Sequence, residues 1–419
     1  MLALFSRKMD ADRLYLVMMG ASSVFITFVF AVNMVYQVET VGLSPLQLVL
    51  VGTALEAAVF LFEVPTGIVA DVYSRRLSII IGYALMGGGF LLEGAVPSFE
   101  AILLAQVVWG VGYTFTSGAH QAWITDEIGE DRVGRVFLRA AQVGSLVGIP
   151  ATLVAITIGS VQVNLPILLG GALHIILALF LALVMPETGF QPAPRESRSA
   201  AGQMSATLRA GVRLVRRRPV LAAILGIGFF YGLYSEGFDR LWTAHLLESF
   251  ALPDFGGLQP VAWMGLLSLI GGLLAAGAAQ IIIKRLDMSD TPALARAAFG
   301  LAGLLALALF GFAAVGSFAG AVLLRWAISI LRTLIEPLQT AWINRHLDSD
   351  VRATVISMSG QVDAIGQIAG GPPVGWVGGV LGLRAALFAS AALLLPALPL
   401  YARVLRRGRP AEAEALTGD

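Results

Sequence analysis

The chain has no cysteine, only two lysines (Lys8 and Lys284), and charge at just 13% of its 419 positions. Without cysteine there is neither a disulfide nor a thiolate metal site, and the four histidines lack a His-x3-His spacing. No G-x4-G-K-[ST] stretch occurs, so ATP is not the fuel. No nucleophile, base and orienting group stand together in a recognisable motif, so no enzyme is expected, and no metal, cofactor or nucleic-acid partner. Soluble domains carry charge at roughly a quarter of their positions. A chain that is 57% hydrophobic and so poor in charge reads as a polytopic membrane protein.

A helix needs about 20 apolar residues to cross a bilayer. That length predicts twelve spans, at about 14–36, 46–69, 77–96, 101–123, 136–158, 164–185, 220–243, 259–283, 294–314, 318–341, 355–380 and 382–402. No ten-residue alternating pattern recurs, so the spans are helices and not barrel strands. The first follows Arg7, Lys8 and Arg13 as a signal peptide would, but it is too long and lacks a small-x-small cleavage site, so it is expected to stay.

With the N-terminus inside, all basic residues except Arg240, Arg325, Arg332 and Arg384 fall on the cytoplasmic side. The outward connections carry Glu39, Glu93, Glu100, Glu248 and Asp254. The asymmetry predicts both termini in the cytoplasm. A hydrophilic segment over 186–219, with Pro186, Pro192, Pro194 and Arg216-Arg217-Arg218-Pro219, divides the chain into an N-terminal six-helix bundle (1–185) and a C-terminal one with a short tail (220–419). The halves echo each other. Ala122-Trp123-Ile124 closes the fourth span and Ala341-Trp342-Ile343 the tenth, and at the same offset Leu104 meets Leu323, Thr114 meets Thr333 and Asp131 meets Asp350. Parallel six-span repeats around a midplane site are a transporter plan.

The connection between the second and third spans reads Gly67-Ile-Val-Ala-Asp71-Val-Tyr-Ser74-Arg75-Arg76. Arg75 and Arg76 satisfy positive-inside insertion, while Asp71 is placed to pair with them or to accept hydrogen bonds at a helix N-terminus. The stretch resembles the G-x3-D-x2-G-R-[KR] loop of the major facilitator superfamily, with Ser74 where that pattern has glycine. The resemblance implies an all-α membrane fold of two pseudo-symmetric six-helix bundles and a cytoplasmic gate at Glu63, Gly67, Asp71, Arg75 and Arg76, whose partner lies around 352–357. Phe62-Glu63-Val64-Pro65-Thr66-Gly67 and Glu236-Gly237-Phe238-Asp239-Arg240-Leu241-Trp242 resemble the drug-efflux branch that includes tetracycline-resistance-type exporters. There are two departures. Gln106 stands where drug/proton antiporters often carry arginine, its counterpart in the second half being Arg325. The glycine-proline motif of the fifth span is reduced to Gly144-x3-Gly148-Ile149-Pro150, with a fuller echo, Gly366-x3-Gly370-Gly371-Pro372-Pro373-x-Gly375, in the eleventh.

A charge near the bilayer centre costs at least about 2.5 kcal/mol, so embedded charges mark candidate sites. Counted from the span ends, Glu56, Arg332 and Asp363 lie nearest the midplane, Glu63 and Glu336 nearer the cytoplasm, and Glu236, Asp239, Arg240 and Arg325 nearer the outside. Arg325, Ser329, Arg332 and Glu336 recur at helical spacing along one face, and Glu236 and Arg240 stand one turn apart. Phe229, Phe230, Tyr231, Tyr234 and Trp242 make the seventh span rich in aromatics that suit flat ligands or cations or simple packing. His174 has no assigned role. By the resemblance, spans one, four, seven and ten line a cavity, which adds Asn33, Tyr36 and Gln37 to the substrate candidates Glu236, Asp239, Arg240, Arg325, Arg332 and Glu336. Asp363 and Glu56 are the proton-coupling candidates.

These features lead to the expectation of a monomeric secondary transporter that exports amphipathic small molecules against protons. Its membrane is expected to be the bacterial cytoplasmic one, since arginine, alanine and glycine dominate in the manner of a GC-rich genome. A lipid or lysolipid mover, an importer, and a transport-inactive receptor or scaffold are the alternatives.

Overall fold

The computed structural model describes residues 9–192, 219–285, 291–345 and 349–416. Among them the regular elements are all helical. In chain order they are α1 (Ala11–Phe30), α2 (Asn33–Val35) with a π-helical turn (Tyr36–Thr40), α3 (Pro45–Val72), α4 (Arg75–Ala95), α5 (Phe99–Thr116), α6 (Ala119–Ile128), α7 (Glu130–Val161) and α8 (Leu165–Val184). Then follow α9 (Pro219–Ser249), α10 (Pro260–Arg285), α11 (Thr291–Ala314), α12 (Phe318–Arg345), α13 (Ser349–Leu381), α14 (Leu383–Leu394) and α15 (Ala397–Leu416).

Among the described residues, eleven segments are long and apolar enough to cross a membrane. The remaining predicted span coincides with α13, whose glycines, Pro372, Pro373, Gln361 and Gln367 dilute its apolar character although it runs unbroken for 33 residues. Helices outrun the apolar stretches that announce them, because a helix continues through polar residues wherever its backbone hydrogen bonds do. Thus α7 begins at Glu130, ahead of the predicted 136. Single predicted spans are also interrupted. The first breaks after Phe30 and re-forms through α2 and the π-turn, a geometry common at functional sites. The fourth breaks at Gly118, whose φ of +69° only glycine adopts readily. The twelfth breaks at Leu395 and Pro396, between α14 and α15, where proline cannot continue the hydrogen-bond ladder.

The described helices form two compact units. Unit 1 comprises Met1–Leu43, Ala54–Ser205 and Asp254–Gly265, and unit 2 comprises Ser44–Thr53, Ala206–Pro253 and Leu266–Asp419. The first turns of α3 therefore group with unit 2 and those of α10 with unit 1. Of the linker expected over 186–219, positions 193–218 lie outside the described residues.

In lipid, helices associate through close packing and not through a hydrophobic drive, so small residues stand at the contacts. In unit 1 a Cβ added to Gly82 would come within 2.7 Å of Gly112 O, and one added to Gly112 within 2.7 Å of Gly82 O. In unit 2, α9 and α13 meet backbone to backbone. A Cβ on Gly232 would overlap the carbonyl of Asp363, one on Gly366 that of Phe229, and one on Gly370 that of Leu233. The glycines of the eleventh-span motif thus have a packing cause: they set α13 against the helix that carries Glu236 and Asp239. Gly370→Ala is expected to lower the melting midpoint of the detergent-purified protein, since overpacking costs about 1–3 kcal/mol. Gly379→Ala on the same helix, where nothing lies within 4 Å, is expected to leave the midpoint unchanged; equal midpoints for both variants would contradict the packing account.

Candidate functional site

Unit 2 holds a cavity of about 550 Å³ between α9, α12 and α13. Its charged lining consists of Asp239 from α9, Arg332 and Glu336 from α12 and Asp363 from α13, with Tyr231 and Tyr234 beside them. Arg332 donates through both terminal nitrogens to the two oxygens of Asp239, at 2.5 and 2.8 Å. Its guanidinium carbon also lies 5.8 Å from the Tyr234 ring centre. Glu336 stands one helical turn from it on the same face of α12. The cation instead joins a carboxylate 93 positions away, because that carboxylate faces it across α9 and α12 in the fork geometry that guanidinium prefers. Asp363 accepts a hydrogen bond of 2.8 Å from Gln367, one turn along α13. Glu336 is exposed at the cavity edge.

The predicted stripe on α12 is divided. Arg332 and Glu336 line this cavity, whereas Arg325 and Ser329 line a smaller one with Trp242. Glu236 and Arg240 do neutralise each other, Nε to Oε1 at 3.0 Å, and Glu236 is only 4% exposed. Gly52 lies over this pair so closely that any side chain there would overlap the Glu236 carboxylate, and a Cβ on Gly371 would come within 3.1 Å of Glu236 Cγ.

In unit 1 a second buried polar group forms around Glu93, which sequence counting assigned to an outward connection. It lies inside α4 and is 0% exposed. Gln37 donates to one carboxylate oxygen at 2.7 Å and Gln106 to the other at 3.1 Å, while Trp109 donates to Gln106 Oε1 at 2.9 Å. Tyr36 and Asn33 are buried beside Gln37 on α2 and the π-turn. Gln106, read from the sequence as a missing arginine, thus serves as an amide donor to a carboxylate. Glu56 is half-buried on α3, and Tyr113 of α5 lies within electrostatic reach of both Glu56 and Glu63. His174 is packed among Phe25, Tyr83 and Phe90, with Nδ1 2.8 Å from Gly170 O.

At the α3–α4 connection, Arg75 lies 3.9 Å from Asp71 and 3.1 Å from Asp126 of α6. Asp71 is mostly exposed and Asp126 is not, so Asp126 is the better-held partner. Ser74 does more than replace a glycine. Its φ of −174° is ordinary extended backbone, its Oγ caps α4 by accepting from Leu77 N–H at 2.9 Å, and its hydroxyl donates to Glu187 at 2.7 Å. Glu187 also accepts from Arg76 N–H, and Arg76 reaches Ala182 O. The start of the linker is strapped to the same place. Trp123 donates to Pro186 O, and Glu127 accepts from Thr188 and Gly189. Glu63 accepts from Ser117 at 2.8 Å, and Gly67 has open space around it. The expected partner segment at 352–357 falls in the first turns of α13, where among the side chains only that of Val355, which is buried, is described. Asp126, Glu187, Glu93 and the Asp239–Arg332 pairing escaped the sequence reading. For Glu93 a signal was available, since it falls inside the predicted third span.

The family model described as Major Facilitator Superfamily matches residues 15–305. A Bacillus subtilis protein, the uncharacterized MFS-type transporter YxaM, is 23% identical over 364 residues, covering 85% of this chain and 86% of its own. The uncharacterized MFS-type transporter MJ1317 of Methanocaldococcus jannaschii is 29% identical over 124 residues, or 29% of this chain and 31% of that one. Among solved structures, the nucleoside transporter NupG superposes with a TM-score of 0.71 at 16% identity, covering 94% of this chain and 99% of that one. A peptide transporter, POT, superposes with a TM-score of 0.73 at 15% identity, covering 96% and 95%. At such identities the structural likeness establishes the fold alone, an all-α membrane transporter fold. With the family model spanning well over half of its length, the chain belongs to the major facilitator superfamily.

Proposed function

We propose that this superfamily member is a secondary active exporter of the bacterial cytoplasmic membrane, with both termini cytoplasmic, working as a monomer and moving amphipathic small molecules outward in exchange for protons by alternating access. The observation that carries the reading is the cavity in which the Asp239–Arg332 pair stands beside Asp363. Embedded charge is costly and is retained where it meets substrate or ions. The cavity walls offer a cation, three carboxylates and two tyrosine rings, a set that can hold an amphipathic or cationic solute and a proton in alternation.

In this reading Asp363 exchanges its proton as the site changes sides, and Arg332 positions Asp239 and the solute. Glu56 supplies the corresponding carboxylate in unit 1. Asn33, Tyr36 and Gln37 contribute polar contacts, with Gln37 tied to Glu93. Glu236 and Arg240, being mutually satisfied, hold α9 in shape. The cytoplasmic gate is Glu63, Gly67, Asp71, Arg75 and Arg76, with Asp126 and Glu187 as the groups that hold its arginines. The hydroxyls and amides of the cavity wall, among them Ser235, Thr333 and Gln367, favour a second reading, an importer of a polar solute.

Flux in proteoliposomes under an imposed pH gradient, screened over drugs, lipids and polar solutes, tests both readings. Uphill export of an amphipathic solute supports the first, gradient-driven uptake of a polar solute supports the second, and flux indifferent to the gradient overturns proton coupling. For Asp363→Asn, uphill pH-driven transport is expected to disappear while substrate binding persists. For Glu56→Gln, binding of cationic substrates is expected to weaken. Substrate-induced proton release from the purified protein decides between them, since normal release in both variants would place coupling elsewhere.

Arg332→Ala is expected to reduce transport at least tenfold, and Arg332→Lys to restore it only in part, because ammonium lacks the planar fork. Removing both charges with Asp239→Asn and Arg332→Gln is expected to destabilise less than Arg332→Ala, since no unpaired carboxylate is left. Equal melting midpoints and equal flux across this series would remove the pair from the mechanism. At the gate, Asp126→Asn is expected to slow turnover more than Asp71→Asn, with binding unchanged in both. The reverse order would shift the anchor back to Asp71.

A further inference from the structure

A second pocket in unit 2 is not explained by the transport reading. It has a volume of about 80 Å³ and is bounded by Trp242 of α9, Leu267, Ser268 and Gly271 of α10, and Arg325 and Ser329 of α12. The guanidinium carbon of Arg325 sits 4.4 Å over the Trp242 ring and 6.0 Å from that of Phe238. Among the described residues Arg325 makes no ion pair, and its buried Nε has no hydrogen-bond partner. Asp239 on α9 lies within electrostatic reach of Arg325, as does Arg332. Both oxygens of Asp239 are engaged by Arg332, so the three groups together leave one positive charge uncompensated. A guanidinium inside a membrane span costs more than ring contacts alone return, so this one calls for a counter-charge.

The pocket wall supplies what an anion needs. Among the described residues its polar side-chain groups are the guanidinium, the indole N–H of Trp242 and the hydroxyls of Ser268 and Ser329, all able to donate, and none of the lining residues is a carboxylate. The wall is also fixed. Trp326 donates its indole N–H to Leu267 O at 2.9 Å, tying α12 to α10 beside the pocket. Gly271 permits that approach, since a Cβ there would come within 2.9 Å of Trp326 Cδ1 and 4.0 Å of Ser329 Oγ. The space is small and suits an occupant of a few heavy atoms.

We propose that this pocket is an anion site, in which Arg325, Ser268 and Ser329 bind a halide ion or the carboxylate of a small monocarboxylate. The occupant comes either from the medium, as a resident ion that neutralises Arg325, or from a transported solute. The assignment is independent of the direction of transport and of Asp363.

The test uses the full chain purified in detergent, with its melting midpoint followed at constant ionic strength as sodium gluconate is replaced by sodium chloride, bromide or formate. A saturable rise in midpoint is expected for wild type, absent in Arg325→Gln. Ser268→Ala combined with Ser329→Ala retains the charge and is expected to fold while needing about tenfold more anion for half the effect, which keeps the proposal testable if Arg325→Gln does not fold. Radiolabelled chloride and formate, offered to proteoliposomes, then separate the sources. Binding without uptake marks a resident ion, and uptake marks a transported one. A wild-type midpoint that is the same in gluconate as in the smaller anions, or an anion response unchanged in the serine variant, overturns the site.

Discussion

Hydrocarbon offers no hydrogen bonds, and every polar group that enters it must bring its own partner. The architecture follows from that constraint. Backbone groups are satisfied along helices, which is why the described elements are all helical and why the breaks fall at glycine, at proline or at a π-turn. Side-chain charges are satisfied across helices or one turn along the same helix. Arg332 meets Asp239, Arg240 meets Glu236, and Glu93 meets the amides of Gln37 and Gln106. Each of these groups needs two helices held within hydrogen-bond reach or two residues one turn apart, and the glycine contacts of α9 with α13 and of α4 with α5 provide the close spacing.

The polar groups differ in how complete that satisfaction is, and the difference sorts their roles. Glu236 with Arg240 is a closed pair beneath Gly52 and Gly371, suited to holding α9. Arg332 and Asp239 are paired but border open space with Asp363 alongside, which suits exchange with a solute or a proton. Arg325 lies against aromatic faces and two hydroxyls and makes no ion pair among the described residues, which in the anion-site proposal leaves its charge for a ligand to complete. The cytoplasmic cluster at Arg75 is different again, since it lies in a wetter region where ion pairs are weak one by one. There the cap at Ser74 and the strap of Glu187 and Thr188 add hydrogen bonds that hold the connection in place.

Local features of the site were legible and distant pairings were not. The Glu236–Arg240 pair could be read because one helical turn brings positions four apart together whatever the tertiary fold. The Arg75 cluster was half legible. Asp71 is four positions away, but Asp126 and Glu187 reach it only after α6 and the linker fold back onto α4. Glu93 was misplaced because depth was counted from span ends, and the ends of apolar stretches do not mark where a helix becomes buried in its neighbours. Gln106 looked like a loss of charge, and only its contact with Glu93 reveals what an amide does there.

By itself the sequence determined that the chain is helical and crosses a membrane many times, because apolar length and the asymmetry of arginine act locally and need no partner. It also carried the family, through a short connection of specific residue types. The tertiary structure decided which carboxylate Arg332 takes, that the charged face of α12 divides between two cavities, and that Arg325 makes no ion pair among the described residues. Those outcomes depend on which helices lie within a few ångströms of each other. That choice is made by the packing of α9, α10, α12 and α13 together, and no single segment contains it.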